Sequence, residues 1–172
     1  MPRLPAFVPA LAAPAFTAAA ILLLAPAARA VQVSETVATA APPAKVMAVI
    51  GRFDAIATWL PGVESSPADK GNENGSVRVL TLKAPGSPKV TERMTVSTPT
   101  GYEYTITAVD PKVLPVAEYS STISVAPAGA GSVVTWQGTF KAAGGADDAA
   151  AAKAVSGLYR AGLDNIKALA ER

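Results

Sequence analysis

Few residues in this chain can do chemistry. Among its 172 residues there is no histidine and no cysteine. That removes the usual general base, the thiol nucleophile, the Ser-His-Asp triad and every His- or Cys-based metal site. No acidic loop has the spacing of an all-oxygen calcium site, and no glycine-rich phosphate loop is present. Serines occur, but none has a base partner that spacing can identify. What remains among the candidates is one cation, one carboxylate, one serine and a set of tyrosines: Arg78, Glu92, Ser121, Tyr104, Tyr119 and Tyr159. Such a set can anchor a ligand by hydrogen bonds. In catalysis it could orient a reactive substrate and give weak acid-base help, enough for a cyclisation or dehydration. The residues point away from an enzyme, and they call for no cofactor and no metal.

Arg78 and Glu92 are brought together by alternation. Arg78, Leu80 and Leu82 share one face of a strand, and Val90, Glu92, Met94 and Val96 share one face of the next. Closing a hairpin across Ala84–Pro88 aligns Leu80 with Val90 and Arg78 with Glu92. A charge on an apolar face is tolerable only when paired. Two roles follow: a polar anchor inside a cavity, or a salt bridge that fixes strand register. The opposite parity would turn Val77, Val79 and Thr81 inward and Arg78 to solvent.

The stretch Asp110–Phe140 organises the remaining candidates. Two alternating strands, near 116–125 and 132–140, flank the turn cluster Pro127-Ala-Gly-Ala-Gly131. One register pairs Val125 with Val134, Ile123 with Trp136, Ser121 with Gly138 and Tyr119 with Phe140. The Ser121–Gly138 pair leaves a gap on a bulky face, which predicts an internal pocket there. Trp59, Tyr104, Tyr119, Trp136, Phe140 and Tyr159 are candidate pocket walls, and equally candidate core aromatics.

The elements that must position these residues follow in order. Residues 1–30 carry Arg3, an apolar run and Ala28-Arg-Ala30, the pattern of a secretory signal peptide cut before Val31. Pro5, Pro9, Pro14 and Pro26 interrupt that run, whereas a membrane anchor needs about 20 apolar residues in a row. Removing Arg3 and Arg29 leaves 13 basic residues against 13 acidic, so the mature chain is near neutral. No basic patch remains for nucleic acid. Residues 31–172 have the size of one domain. They read as a strand over 31–37, a short helix over 45–50, and a second at 55–59 capped by Asp54. Strands over 77–82, 90–97, 102–109, 116–125 and 132–140 follow, with a weaker one within 63–69. A link over 141–148 leads to one long amphipathic helix over 147–170, with Val155, Leu158, Tyr159, Gly162, Ile166 and Leu169 at helical spacing. The class is α+β: a curved antiparallel sheet of six to seven strands, two short helices, and a long C-terminal helix over a cavity.

This order of elements resembles the START and birch-pollen-allergen superfamily, the helix-grip fold, in its polyketide cyclase/dehydrase-like branch (SRPBCC). The resemblance covers Val31 to Arg172. It is carried by Trp59-Leu-Pro61, Arg78–Leu82, Glu92, Tyr102-Glu-Tyr104 and Trp136–Phe140. The segments 113–125 and 158–169 are also similar to the periplasmic accessory proteins of bacterial methanol oxidation. The resemblance implies a periplasmic, non-catalytic binding or accessory domain. Its partners would be a hydrophobic small molecule or lipid and a periplasmic dehydrogenase or its cytochrome. The alternative it implies is a cofactor-free cyclase or dehydratase acting on a small hydrophobic or aromatic substrate.

Overall fold

The computed structural model describes residues 30–172. Apart from Ala30, the expected signal peptide, residues 1–30, lies outside the described residues. Strand β1 (Val31–Thr39) leads through Ala41-Pro42 into helix α1 (Pro43–Ile50), whose prolines suit a first helical turn. A single 3-10 turn, Phe53–Ala55, runs into the four-residue helix α2 (Ile56–Trp59). Asp54 does not cap this helix. It sits inside the 3-10 turn and accepts two hydrogen bonds from Arg52, at 3.1 and 2.8 Å. The strands β2 (Val63–Ser65), β3 (Val77–Leu82), β4 (Lys89–Thr98), β5 (Gly101–Val109), β6 (Val116–Ala128) and β7 (Gly131–Ala142) follow, and α3 (Asp148–Ala170) ends the chain. The 63–69 strand is thus only three residues long, with one further isolated bridge from Ala68 to Arg78.

The seven strands form one antiparallel sheet in the order β1-β7-β6-β5-β4-β3-β2. Successive strands are neighbours except at the start, where β1 crosses over to pair with β7 from Val31–Phe140 to Thr39–Ser132. Helix α3 packs against β1, β7 and α1. Its start is fixed by Asp147, whose Oδ1 accepts from the Ala150 amide at 2.7 Å. Glu35 of β1 accepts from Ser156 and Arg160, tying the middle of the helix to the sheet edge. The curved sheet, the two short helices and the long C-terminal helix are the helix-grip fold expected from the sequence. The core lies between the concave face and α3, and Trp59, Trp136, Tyr104, Tyr159, Phe53 and Phe140 are all fully buried in it.

The predicted registers hold with one exception. Arg78 pairs with Glu92 and Leu80 with Val90. Val125–Val134, Ile123–Trp136 and Ser121–Gly138 pair as expected. Tyr119 and Phe140 are not register partners, because β6 bulges between Ala117 and Ser120. Glu118 takes up the extra residue in the left-handed region, at φ 51°. The bulge still leaves the Tyr119 ring stacked on Phe140, with centroids 6.0 Å apart.

Candidate functional site

Two polar clusters sit on the concave face. The first joins β3 to β4. Arg78 is fully buried, and its Nε donates to Glu92 Oε2 at 2.6 Å. Its Nη1 donates to the backbone carbonyl of Phe53 at 2.7 Å, which pins the turn before α2 to the sheet. The guanidinium carbon lies 4.0 Å from the Phe53 ring centroid and 5.1 Å from that of Tyr104, so aromatic faces complete its surroundings. Burial works against the cation. The attraction of Glu92 and the facing phenol groups outweighs it and holds the guanidinium above its usual pKa. Two atoms of this cluster, Arg78 Nη2 and Tyr102 Oη, are buried without a hydrogen-bond partner. Glu92 Oε1 accepts no hydrogen bond among the described residues.

The second cluster joins β5, β6 and β7 to α3, and counting protons assigns its direction. The Ser121 hydroxyl has one proton, and it goes to the backbone carbonyl of Gln137 at 2.7 Å. Ser121 must therefore accept from Tyr159 at 2.9 Å and from Trp136 Nε1 at 3.0 Å. Tyr159 has then spent its proton, so it accepts from Tyr119. Tyr119 in turn accepts from Tyr104 at 3.4 Å, and Tyr104 accepts from Trp136 Nε1 at 3.2 Å. Every proton is committed, the Tyr104 proton most loosely. Burial raises the pKa of Tyr104 and Tyr119 well above the usual phenol value and pushes that of Tyr159 up to about 12. None of these phenols can act as a base at neutral pH.

The predicted gap beside Gly138 is therefore filled. A Cβ built at Gly138 would overlap the Tyr159 hydroxyl, so glycine is what admits that hydroxyl between the strands. The Tyr159 ring stacks on Trp136 with centroids 4.3 Å apart. Gly162, one turn on, allows this approach: a Cβ there would come within 2.6 Å of the Trp136 ring.

The internal cavity lies elsewhere, next to the first cluster. It has a volume of about 180 Å³. Ile56 of α2, Leu60 just after it, Leu80 of β3, Val90 of β4 and Ile106 of β5 give it an aliphatic wall. The exposed Pro61-Gly62 and the half-buried Val113, Leu114 and Leu158 line its outer side. Of the ten candidate site residues, Glu92, Tyr104, Tyr119 and Trp136 border the cavity. Arg78 stands behind Glu92, while Ser121, Gly138 and Tyr159 belong to the filled gap. Phe140 backs Tyr119, and Trp59 meets Trp136 edge-on at 5.4 Å. The aliphatic wall was not among the candidates. The apolar face shared by Leu80 and Val90 was legible, but nothing distinguished it from ordinary core.

A curved sheet wrapped on one long helix, with a cavity on its concave side, defines a birch-pollen-allergen-like helix-grip protein. Residues 30–171 match the family model described as polyketide cyclase / dehydrase and lipid transport, and the chain belongs to that family within the SRPBCC superfamily. Among solved structures, it is similar to the protein XoxI from Bacillus cereus, with 28% identity and a TM-score of 0.71. That match covers 80% of this chain and 94% of the other. Ara h 8.0201 shares the fold at 21% identity and a TM-score of 0.67, covering 83% of this chain and 98% of that one. The di-domain ARO/CYC StfQ of the steffimycin biosynthetic pathway shares it at 13% identity and a TM-score of 0.68, covering 83% of this chain and 51% of StfQ. No curated protein shows significant sequence similarity to the chain.

Proposed function

We propose that this chain is an exported, non-catalytic binding protein for a small apolar molecule, and that it assists methanol oxidation in the periplasm. The cavity carries the binding part of this reading. A dry apolar cavity of about 150 Å³ is enough to take up benzene, whereas drug-sized ligands need about 300 Å³ or more. At about 180 Å³, with a mainly aliphatic wall, this cavity suits a molecule of one ring. The committed protons of the tyrosine cluster support a non-catalytic role, since no phenol is free to act as an acid or base and Glu92 is held by Arg78. Export rests on the leader pattern of residues 1–30. The accessory role rests on the resemblance of segments 113–125 and 158–169 to the periplasmic accessory proteins of methanol oxidation. The alternative, a cofactor-free cyclase or dehydratase acting on a small hydrophobic or aromatic substrate, draws on the family description.

Titration of the purified protein with toluene, followed by tryptophan fluorescence, tests the binding reading, because Trp136 borders the cavity. Saturable binding is expected, and it should disappear in Ile106→Trp, where the indole fills the space. Absence of saturation with any one-ring compound overturns the reading. The accessory role is tested by adding the protein to methanol dehydrogenase with its cytochrome acceptor. Unchanged turnover at equimolar protein removes that role.

A further inference from the structure

The polar groups at the cavity specify more than apolarity. Four hydrogen-bonding side chains border it, Glu92, Tyr104, Tyr119 and Trp136, and the Trp136 N–H is already shared between Ser121 and Tyr104. The Tyr119 proton is spent on Tyr159. Glu92 has an open acceptor, Oε1, because Arg78 engages only Oε2. Tyr104 holds its own proton on Tyr119 across 3.4 Å, the longest link in its chain, so a better acceptor can draw it away. Glu92 and Tyr104 lie on adjacent strands of the same face: Glu92 is opposite Ile106, and Tyr104 is two residues away. Such diagonal neighbours are within reach of long side chains. The cavity thus offers one strong acceptor and one loosely held donor close together.

The net charge of the site decides between donors. Arg78 is fully buried and cancels the Glu92 charge. An ammonium ligand would add an uncompensated positive charge to a mainly apolar site, and a carboxylate would meet Glu92 directly. Either ion loses its hydration for no balancing partner. A hydrocarbon leaves Glu92 Oε1 dry and unpaired, which also costs free energy. A hydroxyl is neutral, and its single oxygen both gives and takes a hydrogen bond.

We infer that the cavity selects a small neutral hydroxyl compound, a phenol or alcohol of one-ring size, whose O–H donates to Glu92 Oε1 while its oxygen accepts from Tyr104. This inference rests on the binding reading above and names its ligand class.

Four probes of nearly equal size separate the possibilities: 4-methylphenol, toluene, benzylamine and benzoate, each titrated into the purified protein by calorimetry at neutral pH. The expected order has 4-methylphenol at least about tenfold tighter than toluene, a difference of about 1.4 kcal/mol, with the two ions weaker still. The double variant Arg78→Leu/Glu92→Leu removes the acceptor without stranding a charge. In it the ratio of 4-methylphenol to toluene affinity should fall to about one, with folding checked by circular dichroism. Tyr104→Phe should lower that ratio by a smaller factor. Equal affinities for 4-methylphenol and toluene in the unmodified protein would overturn the inference and leave the binding reading standing. So would tightest binding of benzylamine or benzoate, or a ratio unchanged in the double variant. Failure of all four probes to bind would overturn both.

Discussion

The two polar clusters share one concave face yet are finished to different degrees. The cluster of Ser121, Trp136 and three tyrosines spends every proton it has, from the indole N–H to the Gln137 carbonyl. Its work is structural: it bolts α3 to β5, β6 and β7 through the Tyr159 hydroxyl. The Arg78–Glu92 cluster is unfinished. One guanidinium nitrogen and the Tyr102 hydroxyl are buried without partners, and one carboxylate oxygen is open at a cavity. Among the described residues the third buried atom without a partner, Trp59 Nε1, lies beside Trp136, so orphans alone do not separate the clusters; Glu92 borders the cavity, and its open oxygen is where a bound molecule can complete the network. The difference teaches where the fold ends its own business and where binding begins.

The hardest way to break the comparison is to strand a charge. Arg78→Leu removes the only ion partner, among the described residues, of a carboxylate that is 4% exposed. Losing one member of a buried pair typically costs about 3–5 kcal/mol. Arg78→Leu/Glu92→Leu strands nothing and should recover most of that loss. Urea denaturation of both proteins reads the difference, and equal losses would mean that the pair is solvated and the cluster is not a buried one.

The finished cluster should instead respond to alkali. Tyr102, Tyr104, Tyr119 and Tyr159 are the only tyrosines in the sequence, and burial raises the pKa of all four. In the unfolded chain a phenol ionises near pH 10. The folded state keeps its protons longer, so above pH 10 the unfolded chain binds fewer protons than the native one. Stability is then fully present below about pH 10 and falls as the pH rises toward about 12, where Tyr159 titrates in the fold. Each phenol contributes a slope of about 1.4 kcal/mol per pH unit. Tyrosinate absorbance should therefore appear only together with loss of circular dichroism. A tyrosinate signal that grows in while the fold persists would show that the cluster is open to solvent.

How much of this was legible depended on sequence distance. Arg78 and Glu92 lie 14 residues apart across a short turn, so alternation with a hairpin closure gave their register, while leaving open which face turned inward. The Ser121–Gly138 pair was recognisable as too small for its surroundings. Its filler was not, because Tyr159 comes from a helix 38 residues beyond Ser121 and alternation within strands says nothing about what a distant helix inserts. The Tyr119–Phe140 register failed at a bulge whose extra residue is a glutamate, a residue type that gives no warning of a left-handed conformation. The cavity wall was hidden for a different reason. Leu80, Val90 and Ile106 have the same pattern whether they face a neighbour or a void, and only the curvature of the sheet against α2 and α3 leaves the space.

Overpacking the finished cluster should cost less than stranding a charge. Gly138→Leu drives a side chain into the position of the Tyr159 hydroxyl, and such insertions typically cost about 1–3 kcal/mol. Adding Tyr159→Phe removes the overlapped oxygen and should return part of the stability. A Gly138→Leu protein as stable as the original in thermal unfolding would mean that the gap is open after all, and the contrast between filled gap and free cavity would collapse.

The finest test compares two phenols that differ in one respect. Tyr159 and Tyr102 are both buried. The Tyr159 hydroxyl is shared by Ser121 and Tyr119, and Tyr159→Phe leaves the buried Tyr119 proton without its acceptor and takes one donor from Ser121. Leaving a buried group unsatisfied costs about 1–3 kcal/mol. The Tyr102 hydroxyl has no hydrogen-bond partner to lose. Its remaining interaction is with the facing Arg78 guanidinium, whose charge and side-chain contact draw the phenol's pKa back down against the effect of burial. The Phe53 ring packs edge-on against the Tyr102 ring at 5.6 Å, and a phenylalanine ring keeps that contact. Tyr102→Phe should therefore change stability by less than about 1 kcal/mol, with relief from burying an unpaired hydroxyl offsetting the lost attraction to Arg78. The comparison is sharpened if the two variants differ in urea midpoint in this direction. It is broken if Tyr102→Phe costs as much as Tyr159→Phe, because Tyr102 would then be a full member of a satisfied network and Arg78 would have no unfilled place beside it.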